Sequence, residues 1–177
     1  MKATGIIRRI DELGRIVIPK EIRKSLRIKE GESLEIYVDS NENIILKKYS
    51  LLKKMETFAQ DLTDSVYAFI KENIIITDID KIIAVSGNMK KNILNKELSE
   101  ELDTKIKRRE EMLEKHKKNL SLTMEYSFEG SYAISPIIVN GDCVGTVMIC
   151  SKENTVDETI FKITQIISEF IKKNIET

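Results

Sequence analysis

Apolar positions recur along this chain in two rhythms. Short branched or alternating runs mark strands at Gly5–Ile10, Arg15–Ile18, Leu34–Val38 and Ile44–Leu46. Asp11-Glu12-Leu13-Gly14 and Asp39-Ser40-Asn41-Glu42-Asn43 read as the turns between them. Pro19 suits the first position of a helix, where its missing N–H costs little. That helix is predicted over Pro19–Leu26, with Ile22 and Leu26 on one face. The opening of the chain therefore reads ββαββ.

No Gly/Pro/Ser linker follows Tyr49. Ser50 can cap a helix that starts almost at once. Apolar residues from Leu52 to Ile70, Met55, Phe58 and Leu62 among them, recur at helical spacing to about Glu72. Strands are predicted at Asn73–Thr77 and Ile82–Val85. A short helix is predicted near Ile93–Leu98, then a longer one capped by Ser99 with Leu102, Ile106 and Leu113 on its buried side. The charge run Lys105–Lys118 reads as that helix's solvated face, with Glu101/Lys105 and Glu111/Lys115 spaced as pairs. Tyr126–Phe128, Tyr132–Ile134, Ile137–Val139 and Val144–Cys150 read as strands, with Asn140-Gly141 a strong hairpin turn. Thr155-Val156-Asp157-Glu158 reads as a capping box. It opens a last helix with Ile160, Ile163, Ile167 and Phe170 at steps of three and four. The order α-ββ-αα-ββ(β)-α predicts an antiparallel sheet with helices, and an α+β chain.

Composition changes the picture in one respect. The 177 residues are 41% apolar and 33% charged, enough for a real core, and no apolar run approaches a membrane span. The zero net charge hides an asymmetry. Residues 1–54 hold 13 Lys/Arg against 8 Asp/Glu, whereas 55–177 hold 16 against 21. A basic module that meets a polyanion, followed by one that does not, is the expectation.

The cations have an order. Lys20, Arg23, Lys24 and Arg27 fall at i, i+3, i+4 and i+7, opposite Ile22 and Leu26. Arg8, Arg9 and Arg15 lie on or beside the first hairpin, and Lys2 precedes it. Lysine and arginine suit phosphate because each neutralised phosphate releases counterions, and arginine adds a two-pronged fork. Tyr37 and Tyr49 are the only aromatics here, too few for a base-stacking platform, so duplex DNA is the expected partner. A ββαββ module this small, without disulfide or metal, is expected to share a core with a second copy.

Candidate catalytic chemistry is thin. Cys143 and Cys150 are seven apart, expected on opposite faces of one strand and forming neither a CxxC pair nor a metal clamp. His116, the single histidine, is expected as an exposed helix-end residue. Asp78 and Asp80 read as turn formers. No P-loop, GxSxG or HExxH is present. The expectation is no enzyme, no metal and no cofactor.

Lys2-Ala3-Thr4-Gly5-Ile6-Ile7-Arg8-Arg9-Ile10-Asp11-Glu12-Leu13-Gly14-Arg15-Ile16-Val17-Ile18-Pro19 closely resembles the opening of AbrB-type transition-state regulators. So do Leu34–Val38 and Ile44–Tyr49. The resemblance implies a swapped-hairpin β-barrel dimer over 1–50 that binds DNA with loose sequence specificity, often in A·T-rich promoters. Its DNA-contacting basic positions match Arg8, Arg15, Arg23 and Lys24. The remainder, 51–177, resembles GAF domains through Ser135-Pro136-Ile137-Ile138-Val139-Asn140-Gly141-Asp142-Cys143-Val144-Gly145-Thr146-Val147, with flanking helices at about 51–72 and 156–175. Together the two parts resemble a family of two-part regulators of spore-forming bacteria. That resemblance implies a cytoplasmic, forespore transcription factor that activates or represses. It also implies a homotetramer joined through the GAF-like parts, and a small-molecule pocket whose ligand does not follow. Met55, Phe58, Leu62, Ile163, Ile167 and Phe170 are the candidate contact residues. The alternative is an antitoxin-type DNA-binding protein with a toxin partner.

Overall fold

The computed structural model describes residues 5–28 and 30–176. The chain divides between Tyr49 and Ser50 into two compact units. The first contains helix α1 (Lys20–Ser25) and the antiparallel pair β1 (Leu34–Val38) and β2 (Ile44–Lys48). Pro19 sits immediately before α1, which ends where Arg27 turns left-handed at φ 52°. Within this chain the stretches Gly5–Ile10 and Arg15–Ile18 form no strand ladder, contrary to expectation. No ladder among the described residues pairs with them.

The second unit runs through a single 3-10 turn (Leu52–Met55), α2 (Glu56–Ile70), β3 (Asn73–Thr77), β4 (Ile82–Ser86), α3 (Lys90–Ile93), α4 (Glu100–Lys107), β5 (Met112–Ser121), β6 (Ser127–Val139), β7 (Asp142–Ser151) and α5 (Glu158–Glu176). Its five strands are all antiparallel in the order β4-β3-β7-β6-β5. Both faces of the sheet are covered, which explains the continuous apolar runs of β3 and β7. One face packs Ile75, Met148, Tyr132 and Phe128 against α3 and α4 residues such as Ile93 and Leu102. The other packs Ile74, Ile76, Val147 and Ile149 against α2 and α5. Leu52 enters this second layer fully buried, over Gly145, where a Cβ would lie 2.6 Å from Leu52 Cδ1 and 2.0 Å from the Thr77 carbonyl oxygen. Asn140 and Gly141, at φ 50° and 85°, make the β6–β7 turn that their sequence predicts.

Several sequence expectations are corrected. The short helix lies earlier, at Lys90–Ile93, because Asn95 and Lys96 pair with the backbone of Ile82 instead. α4 stops at Lys107, and the charge run beyond it is strand β5, not a helix face. Pairing with β6 overrides the helical charge spacing there. Glu114 and Lys118 still meet at 3.4 Å, but across a bulge that bunches the strand. Lys105 pairs with Glu110, and Lys115 with Glu158, rather than with the predicted partners. His116 is exposed, on β5 rather than at a helix end. The cap of α5 is Asp157, whose Oδ1 accepts the N–H groups of Thr159 and Ile160, both at 3.0 Å. Cys143 and Cys150 pack on the same face, because a bulge at Ile137/Ile138 skips Val144 in the register. Burial raises both thiols above the ordinary range, Cys150 far above it.

The two edges of the sheet are closed differently. At β4, the Gln60 side chain stands in for a strand: its Nε2 donates to the Val85 carbonyl at 3.0 Å and its Oε1 accepts the Val85 N–H at 3.2 Å. The same amide reaches Ser86, Thr63 and Asp64. At β5 the edge carries the bulge and a row of cations.

Candidate nucleic-acid interface

The first hairpin turn is a tightly bonded loop. Asp11 Oδ1 accepts the N–H groups of Leu13 and Arg15 at 3.0 and 2.8 Å. Its Oδ2 accepts Arg15 Nε at 2.7 Å. The Arg15 N–H, then the Arg15 guanidinium, hold the Asp11 carboxyl below its ordinary value. Gly14, at φ 75°, closes the turn by donating to the Asp11 carbonyl. The β1–β2 loop repeats this plan. Asp39 Oδ1 accepts the N–H groups of Asn41 and Asn43, and Glu42 takes the left-handed position at φ 61°. The sequence signal for both is an Asp whose carboxylate can reach the N–H groups two and four residues on.

Arg15 is therefore half-committed. Its Nε is tied to Asp11, while its side chain is 71% exposed and its two terminal nitrogens retain donors for an anion. Arg8 donates to the neighbouring Ile7 carbonyl at 3.3 Å, and Arg9 is exposed. Lys20, Arg23 and Lys24 are all exposed on α1. Lys2 lies outside the described residues. One residue was missed: Lys48 reaches across to the Arg27 carbonyl at 2.8 Å and to Glu32 at 3.3 Å, fixing the segment after α1. The 21-residue separation gave no local signal for it.

These cations share the unit's surface with uncovered apolar side chains. Ile7, Val17, Ile36, Val38 and Ile44 are each about 70–90% exposed in the described chain. Ile6 and Ile10 are exposed as well. No side chain of α1 is buried.

In the second unit, the candidate contact residues cluster on α2 and α5. The Phe58 and Phe170 rings lie 5.8 Å apart. Leu62 and Ile163 are half-buried against the core, as is Met55 in its own setting. Ile167 is 3% exposed and belongs to the unit's own core, so it cannot be a first point of contact. Phe69 and Ile166 were not singled out, yet they are 88% and 67% exposed. Both keep the three-four spacing of their helices, so period alone does not separate the exposed flank from the buried side.

Among the described residues, no group of three or more His, Cys, Asp or Glu converges as a metal site, and no helix is long and apolar enough to cross a membrane.

Known proteins agree with this division. Residues 54–176 match the family model for the stage V sporulation protein T C-terminal, transcription factor. Residues 7–54 match that of the antidote-toxin recognition MazE, bacterial antitoxin. The chain is 44% identical over 177 residues to stage V sporulation protein T of Bacillus subtilis, covering 99% of each chain. Its amino-terminal 49 matched residues are 65% identical to the transition state regulatory protein AbrB of the same organism, covering 28% of this chain and 50% of that one. The GAF domain of an Acinetobacter phosphoenolpyruvate-protein phosphotransferase shares the fold of the second unit, with TM-score 0.56 and 12% identity over 73% of this chain and 84% of that one. The antitoxin likeness ends at residue 54, just inside the second unit, whereas the sporulation match runs through both. The chain belongs to the stage V sporulation protein T family of DNA-binding transcription factors that regulate sporulation.

Proposed function

We propose that residues 1–50 form a DNA-binding dimer and that 51–177 join two such dimers into a tetramer. The observation that carries this is the exposure of the amino-terminal unit's apolar residues beside its cations. Ile36, Val38 and Ile44 on the β1–β2 ladder, and Ile7 and Val17, have no cover among the described residues. A single copy with this surface is not a stable soluble unit, and a second copy exchanging its first hairpin supplies the missing strands. Arg8, Arg9, Arg15, Lys20, Arg23, Lys24 and Lys2 then supply the phosphate and base contacts on promoter DNA of the A·T-rich kind that loose specificity favours. Lys24, lacking a bidentate fork, suits phosphate.

Tetramer formation is assigned to the flank of α2 and α5 that carries Met55, Phe58, Leu62, Ile163 and Phe170, with Phe69 and Ile166 added. The protein acts in the cytoplasm, on forespore genes, as activator or repressor, and the GAF-like unit is a candidate receptor for a small molecule.

The test is duplex affinity measured across a salt series. Arg23→Ala and Arg15→Ala each weaken binding, and each lost phosphate contact lowers the log–log salt slope by ~0.9. Unchanged affinity and slope in both variants would defeat the assignment. Phe170→Asp reduces the tetramer to dimers in sedimentation without unfolding it. An intact tetramer would remove α5 from the interface.

A further inference from the structure

The charged stretch that resembles a helix face lies instead on the outermost strand of the GAF-like sheet. Between the register pairs Glu114↔Tyr132 and Lys118↔Gly130, β5 supplies Lys115, His116 and Lys117 where β6 supplies Ser131 alone. The strand therefore bulges outward, and residues 115–118 are all exposed. Lys117 has no acidic partner among the described residues. Lys115 and Lys118 are matched to Glu158 at 3.0 Å and to Glu114 at 3.4 Å. Both are exposed pairs, which contribute little and exchange readily for a stronger anion.

Protection of a sheet edge accounts for part of this. A bulge that sets three residues against one already interrupts any continuous ladder with another strand. The opposite edge is closed by Gln60 at Val85 and by the Asn95–Lys96 backbone at Ile82, without any cation on β4. Three lysines and a histidine in succession are thus more than edge protection requires. They stand out further in a segment, 55–177, where acids outnumber Lys/Arg by 21 to 16. In extended chain four such positions span at most ~10 Å, comparable with the rise of about three phosphates along one strand of B-DNA. No Phe, Tyr or Trp occurs in β5, which suits backbone contact more than base stacking.

We propose that the β5 bulge, Lys115–Lys118, is a second phosphate-contacting surface for duplex DNA. This rests on the DNA-binding reading above. It makes the GAF-like unit a sequence-independent contributor to affinity as well as an assembly element.

The test uses the full-length protein and two duplexes of ~20 and ~60 base pairs, titrated by fluorescence anisotropy over a salt series. Each true contact contributes ~0.9 to the slope of log K against log salt. The double variant Lys117→Gln/Lys118→Gln is expected to lower that slope by ~1–2 on at least the longer duplex. Affinity at low salt should drop several-fold with it. Thermal melting of the variant should match the parent, since both side chains are solvent-exposed. A slope unchanged on both duplexes overturns the proposal. Arg23→Ala, run in parallel, separates the two readings: if it also leaves binding intact, the amino-terminal assignment is what failed.

Discussion

The two units bury their apolar residues in opposite ways. In the GAF-like unit Ile74, Ile75, Ile76, Val147, Met148 and Ile149 are completely buried, alternately on the two faces of one sheet. In the amino-terminal unit Ile36, Val38 and Ile44 also sit on a strand ladder, yet each is roughly 70% exposed. The residue types are the same. The difference is the number of layers each segment can build around itself: helices cover both faces of the five-stranded sheet, while a six-residue helix and two short strands cannot cover one. An amphipathic pattern states that a face wants burial, but not whether the covering element lies on the same chain.

The comparison can be broken most forcefully inside the second unit. Phe128 is fully buried beneath α3 and α4, and Phe128→Ala should cost about 3–5 kcal/mol. Denaturant unfolding checks this, and the loss should not depend on protein concentration. In the first unit, by contrast, Ile36→Asp should leave the melting of the GAF-like unit unchanged. Duplex affinity should fall at least about tenfold, since a charge placed in a shared core blocks association. If Ile36→Asp binds DNA normally, the first unit is complete without a partner, and the contrast between the units is lost.

Smaller effects sharpen the picture. Gln60→Ala removes the amide that brackets Val85 and leaves a buried N–H and carbonyl without protein partners. A loss of about 1–3 kcal/mol is expected, together with faster hydrogen exchange at Val85. Protection at Val85 equal to the parent's would show that the bracket is dispensable. The smallest effect concerns Asp78. Burial pushes its carboxyl above the ordinary value of 3.8, although the Asp80 and Lys81 N–H groups and the Ser50 hydroxyl all donate to it. A raised folded value means that the protonated form is favoured by folding. Stability from this group is full below the ordinary carboxylate value and is lost as pH rises through the folded one. The parent should thus lose stability relative to Asp78→Asn over that rise, read by melting at several pH values. The opposite trend would mean that the three donors outweigh burial.

Much of the fold was legible because its signals are local. Asn140-Gly141 could hardly be other than a hairpin turn, and Pro19 marked the start of α1. The run Lys105–Lys118 misled because strand pairing with β6 is a tertiary event that leaves no mark on charge spacing. Cys143 and Cys150 were placed on opposite faces by counting residues, and one bulge reverses that parity. The basic stripe on α1 was readable from helical period. Arg15's tie to Asp11 was not, since it depends on a loop closing back on its own carboxylate. Lys48's grip on Arg27 depends on which elements become neighbours.

The two guards on the sheet's edges differ in how much sequence change they can absorb. A row of cations on a bulge is a statistical defence: any one can be lost, and lysine, arginine or a proline nearby would serve. The bracket on Val85 is stoichiometric, because it needs one donor and one acceptor at one side-chain length. Asparagine would fall short, and glutamate would bring a charge and no donor. Edge protection at β5 therefore survives the loss of any one cation, whereas position 60 can change only together with the strand it mimics.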